Sequence, residues 1–288
     1  MMKIIHLTDL HIGEDAGGHS GEEESCIKVF DNIVGNIIKT IKDRASEYVV
    51  VITGDLVHVA FIDENYEMAK TAIGRLREAF KQEVPEQDNF DHVLVIPGNH
   101  DYGRGIYVKE RYVKKFKKTF FGNTEVTYPK YDPTDKIAFI GLDSMAESFF
   151  KGNGWWADGK LGDTQLDGLD QKLKKATVDE KHIVVYLHHH PFKQLDDVVH
   201  GNHFHGLKDH DKLIKKLKKH NKEHKNIRAL LFGHNHEGED RWRGRLGIPR
   251  CYDGGTSTGV GGVSVSPHRV FDLEDENGDY IGGMFYRP

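Results

Sequence analysis

Five polar clusters in this sequence each follow a short apolar run, and together they contain the residue types of a metal site. They are Asp9-Leu10-His11, Gly54-Asp55, Gly98-Asn99-His100-Asp101, His188-His189-His190-Pro191 and Gly233-His234-Asn235-His236. In open α/β sheets, ligands bind beyond the carboxyl ends of the strands. Five clusters at five strand ends therefore indicate one site.

Seven of these side chains offer carboxylate, amide or imidazole ligands and no thiolate: Asp9, His11, Asp55, Asn99, His189, His234 and His236. Such nitrogen and oxygen donors suit first-row metals such as Mn, Fe, Co or Zn. Seven ligands are too many for one tetrahedral ion and suit two ions that share a bridge. Asp55 stands alone on its strand and is the candidate bridging carboxylate. Asp-x-His and His-x-His fit strand ends or extended turns, where residues two apart point to the same side.

The elements that position these clusters alternate between strand and helix, which is typical of a layered α/β fold. Apolar runs predict strands over residues 4–8, 48–52, 92–97, 126–131, 137–142, 182–187 and 228–232. Helical spacing predicts helices over residues 27–41, 64–80, 109–118 and 208–225, and one that begins at Asp163. We expect a loop over residues 13–25, and a hairpin turn over residues 276–279 because Asn-Gly favours such turns.

Composition limits the classes of function that this chain can have. With 288 residues, 38% of them hydrophobic and 30% charged, we expect a single globular domain over residues 1–288. No apolar run approaches the roughly 20 residues that span a membrane. The N-terminus has no signal-peptide core, and two cysteines are too few for a disulfide framework, so we expect a cytoplasmic protein. The net charge of −5 argues against a nucleic-acid partner.

Taken together and in this order, the five motifs resemble the calcineurin-like metallophosphoesterase superfamily. The His-His-Pro pattern and the short spacing of the last two motifs are similar to its class III cyclic-nucleotide phosphodiesterase and glycerophosphodiesterase branch. The resemblance implies two mixed β-sheets sandwiched between helices, in four layers. It also implies two divalent or di/trivalent metal ions. One would be held by Asp9, His11, Asp55 and His236, and the other by Asp55, Asn99, His189 and His234.

The same resemblance implies that His100 is the general acid that assists the leaving group. In many relatives an Asp or Asn three residues beyond the bridging aspartate supports this histidine, but here the position holds His58. A cationic His58 would lower the pKa of His100. Asp101 is therefore the candidate for the missing support, with bracing of its own loop as the alternative.

Other residues near the motifs are candidates for substrate contact. Four histidines form this group: His188, His190, His203 and His205. Packing behind the ligands is an equal alternative for the first two, whereas the last two lie in a histidine-rich loop over residues 195–206. The aromatic residues Trp155 and Trp156 fit a base-stacking contact, a core edge or the contact of a homodimer.

We therefore expect a hydrolase of small phosphodiesters, of the cyclic-nucleotide or glycerophosphodiester type, that uses a metal-bridged hydroxide. One alternative is a nuclease of the DNA-repair branch, to which Asp-Leu-His-Ile-Gly is also similar. A phosphomonoesterase is another. The remaining alternative is an inactive scaffold of the same fold, although such proteins generally lack one or more ligands and none is missing here.

Overall fold

The structure of the chain is a computed structural model that describes residues 2–13, 20–85, 88–103, 110–147, 158–192, 206–236, 238, 244–259, 269–273 and 281–282. Its strands are β1 (Lys3–Leu7), β2 (Tyr48–Ile52), β3 (Val93–Val95), β4 (Lys130–Pro133), β5 (Ile137–Gly141), β6 (His182–Tyr186), β7 (Ile227–Phe232), β8 (Arg250–Asp253), β9 (Arg269–Asp272) and β10 (Ile281–Gly282). Its helices are α1 (Ser20–Ile41), α2 (Asp63–Glu83), α3 (Glu110–Phe121), α4 (Asp163–Val178) and α5 (His210–His224).

The strands form two five-stranded mixed sheets. The first sheet has the order β10-β9-β1-β2-β3, and the second has the order β4-β5-β6-β7-β8. Strands β1, β2 and β3 are parallel to one another, as are β5 to β8, whereas β4, β9 and β10 pair in the antiparallel sense. Each sheet therefore sends the loops of its parallel strands to a single edge.

Alternation of buried side chains along each strand places apolar residues on both faces of each sheet. In β2, Val50 and Ile52 pack against α1, α2 and α3, whereas Val49 and Val51 pack between the two sheets. The second sheet packs in the same way against α4 and α5. The result is four layers, and it confirms the predicted pair of mixed sheets between helices.

Two predicted elements differ from the structure by several residues. Helix α1 begins at Ser20, so the predicted loop over residues 13–25 is wrong in its second half.

Strand β4 begins at Lys130 and ends at Pro133, later than the predicted strand over residues 126–131, and the turn that follows it begins at Thr134. Mutual hydrogen bonds close this turn, from Thr134 N–H to Ile137 O at 2.7 Å and from Ile137 N–H to Thr134 Oγ1 at 3.1 Å. Pro133 is tolerated in β4 because this strand is at the edge of its sheet.

Other predictions fall on residues outside those described, namely the hairpin turn at 276–279, Trp155, Trp156, His203 and His205. Strands β9 and β10, which flank that turn, pair in the antiparallel sense that a hairpin requires. Among the described helices, none combines the length and the apolar composition needed to cross a bilayer.

Candidate metal centre

The predicted ligands come together at one edge of the structure, beyond the carboxyl ends of five parallel strands. Loops of the first sheet carry Asp9, His11, Asp55 and Asn99, and loops of the second carry His189, His234 and His236. The first four are no more than 3% exposed, and His234 and His236 are half-buried. The centre therefore lies where the two sheets meet, and its half-buried members mark the side that solvent reaches.

Left-handed backbone turns these side chains toward one another. Of the nine non-glycine residues with positive φ in the described chain, five are predicted ligands: Asp9 at 52°, His11 at 43°, Asp55 at 50°, His234 at 81° and His236 at 58°. This conformation is unfavourable for residues with a Cβ, and such residues cluster at functional sites. The Asp-x-His and His-x-His pairs thus reach the centre through left-handed turns and not through the extended turns we expected.

Two glycines let the loops approach one another. Gly98 does not adopt the left-handed conformation, so its role is close packing and not a sharp turn. A Cβ atom at Gly98 would overlap the Asp55 carboxylate and lie 2.5 Å from the Asp55 backbone nitrogen. A Cβ at Gly233 would overlap the Thr8 hydroxyl and the Asp9 carboxylate. Only glycine therefore allows the loops after β3 and β7 to lie this close to the carboxylates.

One group of potential ligands consists of Asp9, His11 and His236, whose ligand atoms all lie within 4.8 Å of one another. His236 Nε2 lies 3.1 Å from Asp9 Oδ1 and 3.2 Å from His11 Nε2. Asp55 Oδ2 lies 3.7 Å from His11 Nε2 on the other side. Two carboxylates and two imidazoles thus surround one point, which is the donor set expected for a first-row metal.

The second group is centred on His188, which the sequence predicted to contact substrate. Its Nε2 lies 3.4 Å from Asp55 Oδ2, 3.1 Å from Asn99 Oδ1 and 3.2 Å from His234 Nδ1. Its Nδ1 lies 2.8 Å from Thr53 O, so this nitrogen donates to the carbonyl and directs Nε2 into the group. The Asp55 carboxylate therefore faces both groups, as expected of a bridging ligand.

The other two histidines of the triplet have different surroundings. His189 lies with its Nδ1 2.7 Å from the Ser144 hydroxyl, although one of its nitrogens is still within 4.8 Å of those of His188 and His234. His190 is fully buried, its Nδ1 lies 2.8 Å from Phe192 O, and its ring packs against Phe232. This position favours packing, one of the two alternatives given for His190, over contact with substrate.

The charges in the centre fit the binding of cations. Although burial opposes ionisation, hydrogen bonds and charges from His11, His188 and His236 hold the pKa of Asp9 well below its usual range. Burial, reinforced by the neighbouring imidazole of His100, lowers the pKa of His11 to about 4, and burial beside His188 lowers that of His234 to about 3. An ionised carboxylate next to neutral imidazoles is the protonation state that metal ligands require.

His188 behaves differently from these histidines because it lies between carboxylates. Burial alone would lower its pKa, but the charge of Asp55 outweighs burial and raises this pKa to about 9. Positive charge is thus stabilised at the point where Asp55, Asn99 and His234 converge. A metal ion bound there would replace the proton of His188. The residues present therefore fit two cations that share Asp55.

The ring of His100 is held beside the centre by a backbone carbonyl and not by a carboxylate, whereas a carboxylate holds its backbone. Its Nδ1 donates to the His58 carbonyl at 2.6 Å, and its backbone N–H donates to Asp55 Oδ1 at 2.9 Å. Its ring centroid lies 4.6 Å from that of His11. With Nδ1 engaged, Nε2 is the nitrogen that remains for chemistry.

Asp101 braces the loops, the second of the two roles predicted for it. Its Oδ1 accepts the backbone N–H groups of Leu56 and Val57 at 2.9 and 3.0 Å, and its Oδ2 accepts that of Gly98 at 2.8 Å. Burial and the charge of Asp55 raise its pKa to about 8. The carboxylate therefore joins the loop that carries Asp55 to its own loop.

Sequence reasoning assigned no role to several residues that support the ligands. The Thr8 hydroxyl donates to Asp9 Oδ2 at 2.5 Å, and the Thr256 hydroxyl donates to the Asp9 carbonyl at 3.0 Å. Ser144, which contacts His189, follows the apolar run of β5 in the same way that the five motifs follow theirs. This repeated pattern could have identified Ser144 from the sequence. Nothing in the sequence indicates that Thr256 contacts the residue that follows β1.

Comparisons with known proteins give a family match and similar folds. A profile of the calcineurin-like phosphoesterase family matches residues 2–238. A dimetal phosphatase structure from Danio rerio has a similar fold, with a TM-score of 0.63, 14% identity, and coverage of 99% of this chain and 97% of that one. A 5′-nucleotidase structure from Candida albicans has a TM-score of 0.51 and 11% identity, over 98% of this chain and 52% of that one. A sequence search of curated proteins gives no match.

Proposed function

This chain belongs to the calcineurin-like phosphoesterase family, and we propose that it hydrolyses small phosphate esters with two metal ions. The observation that carries the proposal is the position of Asp55, whose Oδ2 lies 3.7 Å from His11 Nε2 and 3.4 Å from His188 Nε2. One carboxylate that faces two sets of donors is the arrangement needed to hold two cations side by side.

The proposed ligands form two sets that share Asp55. Asp9, His11 and His236 complete the first set, and Asn99, His188 and His234 complete the second. We place His188 in the second set where the motif pattern predicted His189, because His188 Nε2 is the nitrogen next to Asp55 and Asn99. When bound, two such ions supply Lewis acidity and make water nucleophilic at neutral pH. Mn, Fe, Zn and Co all suit this donor set.

The chain's own residues supply the rest of the proposed chemistry. His100 protonates the departing oxygen through Nε2, since its Nδ1–H is held by the His58 carbonyl. The Asp55 carboxylate orients His100 by accepting its backbone N–H. Asp101 is a positioning residue in this proposal, because it contacts backbone N–H groups of the loops.

Two classes of substrate are candidates. Small phosphodiesters, either cyclic nucleotides or glycerophosphodiesters, follow from the resemblance of the motifs to the class III branch. Phosphomonoesters are the second class, and the names of the two solved structures, a phosphatase and a 5′-nucleotidase, support considering them. A screen of cyclic nucleotides, glycerophosphodiesters and monoesters with each of the four metals distinguishes the two classes.

Three variants test the proposed chemistry. We expect Asp55→Ala and His234→Ala to lose metal and to abolish the hydrolysis of bis(p-nitrophenyl) phosphate and p-nitrophenyl phosphate. His100→Ala should keep its metal and lose roughly 10²- to 10⁴-fold in rate, the usual contribution of a general acid. Metal content is measured by mass spectrometry. Full activity in the presence of a tight chelator contradicts the proposal.

A further inference from the structure

We propose that the side chain of His58 binds a terminal oxygen of the phosphate group and so favours phosphomonoesters over phosphodiesters. This inference rests on the proposed function, since it concerns the substrate class of the same site. It gives a role to a histidine that belongs to neither of the two proposed ligand sets.

Three imidazole rings converge at the half-buried side of the centre. The centroid of the His58 ring lies 5.7 Å from that of His11 and 5.7 Å from that of His100. One nitrogen from each of the three rings lies within 4.8 Å of the other two. A phosphate group whose leaving oxygen faces His100 and whose phosphorus lies beside the metal held by His11 therefore has a further oxygen within reach of the His58 ring. His58 and His100 are both half-buried, so a ligand can reach this point from solvent.

The backbone of His58 is held independently of its side chain. The His58 N–H donates to Ile12 O at 3.0 Å, and the His58 carbonyl accepts from His100 Nδ1 at 2.6 Å. The preceding residue, Val57, donates its N–H to Asp101. A substitution at position 58 therefore keeps the carbonyl that orients His100 and removes only the imidazole. The two contributions of this residue can thus be separated by experiment.

The chemistry of the two ester classes differs at one oxygen. A phosphomonoester presents three terminal oxygens, whereas a diester presents two and carries a substituent in place of the third. The additional anionic oxygen of the monoester requires a hydrogen-bond donor, and an imidazole N–H beside the centre supplies one. For a diester, the same ring would face an ester oxygen, which is a weaker acceptor and carries added bulk. His58 therefore discriminates by the charge and the size of the ligand.

The test measures the binding of two non-reacting probes to the metal-loaded protein by isothermal titration calorimetry. Inorganic phosphate represents the monoester, and dimethyl phosphate represents the diester. We expect His58→Phe, which keeps a ring but has no donor, to bind inorganic phosphate roughly 10- to 100-fold more weakly, the effect of losing a hydrogen bond to a charged group. Binding of dimethyl phosphate should change by less than about threefold. His58→Gln, which retains an N–H donor, should recover part of the loss.

Metal content and a matched control complete the experiment. His58→Phe and His58→Gln should retain wild-type metal content, as should His224→Asn, which replaces a histidine on α5 that is distant in sequence from the motifs. An equal loss of binding for both probes, or no loss for either, overturns the role of His58. If His58→Phe loses its metal, the comparison between His58→Gln and wild type decides instead. A wild-type protein that binds inorganic phosphate and hydrolyses no ester with any metal contradicts the proposed function, while the binding ratio still tests His58.

Discussion

Replacement of Asp101 distinguishes a positioning role from a catalytic one. Three buried backbone N–H groups, those of Leu56, Val57 and Gly98, donate to its carboxylate at 2.8–3.0 Å. Asp101→Ala leaves all three donors without an acceptor. Asp101→Asn retains one oxygen, which can still accept from Leu56 and Val57, but turns an NH₂ group toward the Gly98 N–H.

The structure gives the expected size of the effect. An unsatisfied buried donor costs about 1–3 kcal/mol, so three of them cost about 3–9 kcal/mol. Burial and the charge of Asp55 raise the pKa of Asp101 to about 8, and this unfavourable charge offsets part of the benefit of its hydrogen bonds. For Asp101→Ala we therefore expect a loss at the lower end of this 3–9 kcal/mol range, about 3 kcal/mol in the free energy of unfolding. For Asp101→Asn we expect a loss of about 1–2 kcal/mol.

Urea unfolding at constant pH, with and without metal, measures these losses, and mass spectrometry measures the metal retained. Asp31→Ala is the control, because Asp31 is an exposed carboxylate that pairs with Arg75. Removing such a surface pair should cost less than about 1 kcal/mol. If Asp101→Ala keeps wild-type stability and metal content but loses 100-fold or more in rate, Asp101 acts in the chemistry and our interpretation of its bracing role is wrong.

Three further changes have defined outcomes. Gly98→Ala should lose metal, because its Cβ would overlap the Asp55 carboxylate. Metal analysis of the folded variant checks this, and full retention of the metal contradicts the close approach of the two loops. His188→Ala should lose metal while His189→Ala retains most of it, and the reverse order would restore the ligand predicted from the sequence. Burial raises the pKa of Asp143 from 3.8 to about 6, so its folded form binds more protons than its unfolded form and stability falls as pH rises through this window. The stability of wild type relative to Asp143→Asn should therefore fall by roughly 3 kcal/mol between about pH 3 and pH 7 in urea unfolding, most of it between the two pKa values. A pH-independent difference contradicts the assignment.

The strand ends were predictable because each apolar run stops where a polar cluster begins. Val50 and Val51 are buried on opposite faces of the first sheet, and Asp55 comes soon after the strand that they belong to. This periodicity is local information that one sequence contains. The family resemblance added the second sheet, which periodicity alone does not indicate.

The choice among the three consecutive histidines was not predictable, since it depends on how the chain runs beyond the end of β6. Leu187 still pairs with the adjacent strand, through its N–H to Leu231 O at 3.0 Å. The His188 carbonyl still accepts the Gly233 N–H at 3.0 Å, while its side chain enters the centre. The contacts of His189 with Ser144 and of His190 with Phe232 also depend on tertiary packing. The sequence carries no local signal for such contacts.

The centre takes its donors from both sheets, and this origin ties metal affinity to the way in which the sheets are joined. His234 N–H on the second sheet donates to Asp9 Oδ2 on the first at 3.0 Å, and Phe139 packs in the apolar layer between the sheets. Any shift of one sheet over the other changes the spacing of the donors. By thermodynamic linkage, a bound ion must in turn stabilise the relative position of the two sheets. A substitution such as Phe139→Leu should therefore weaken metal affinity without altering a single ligand.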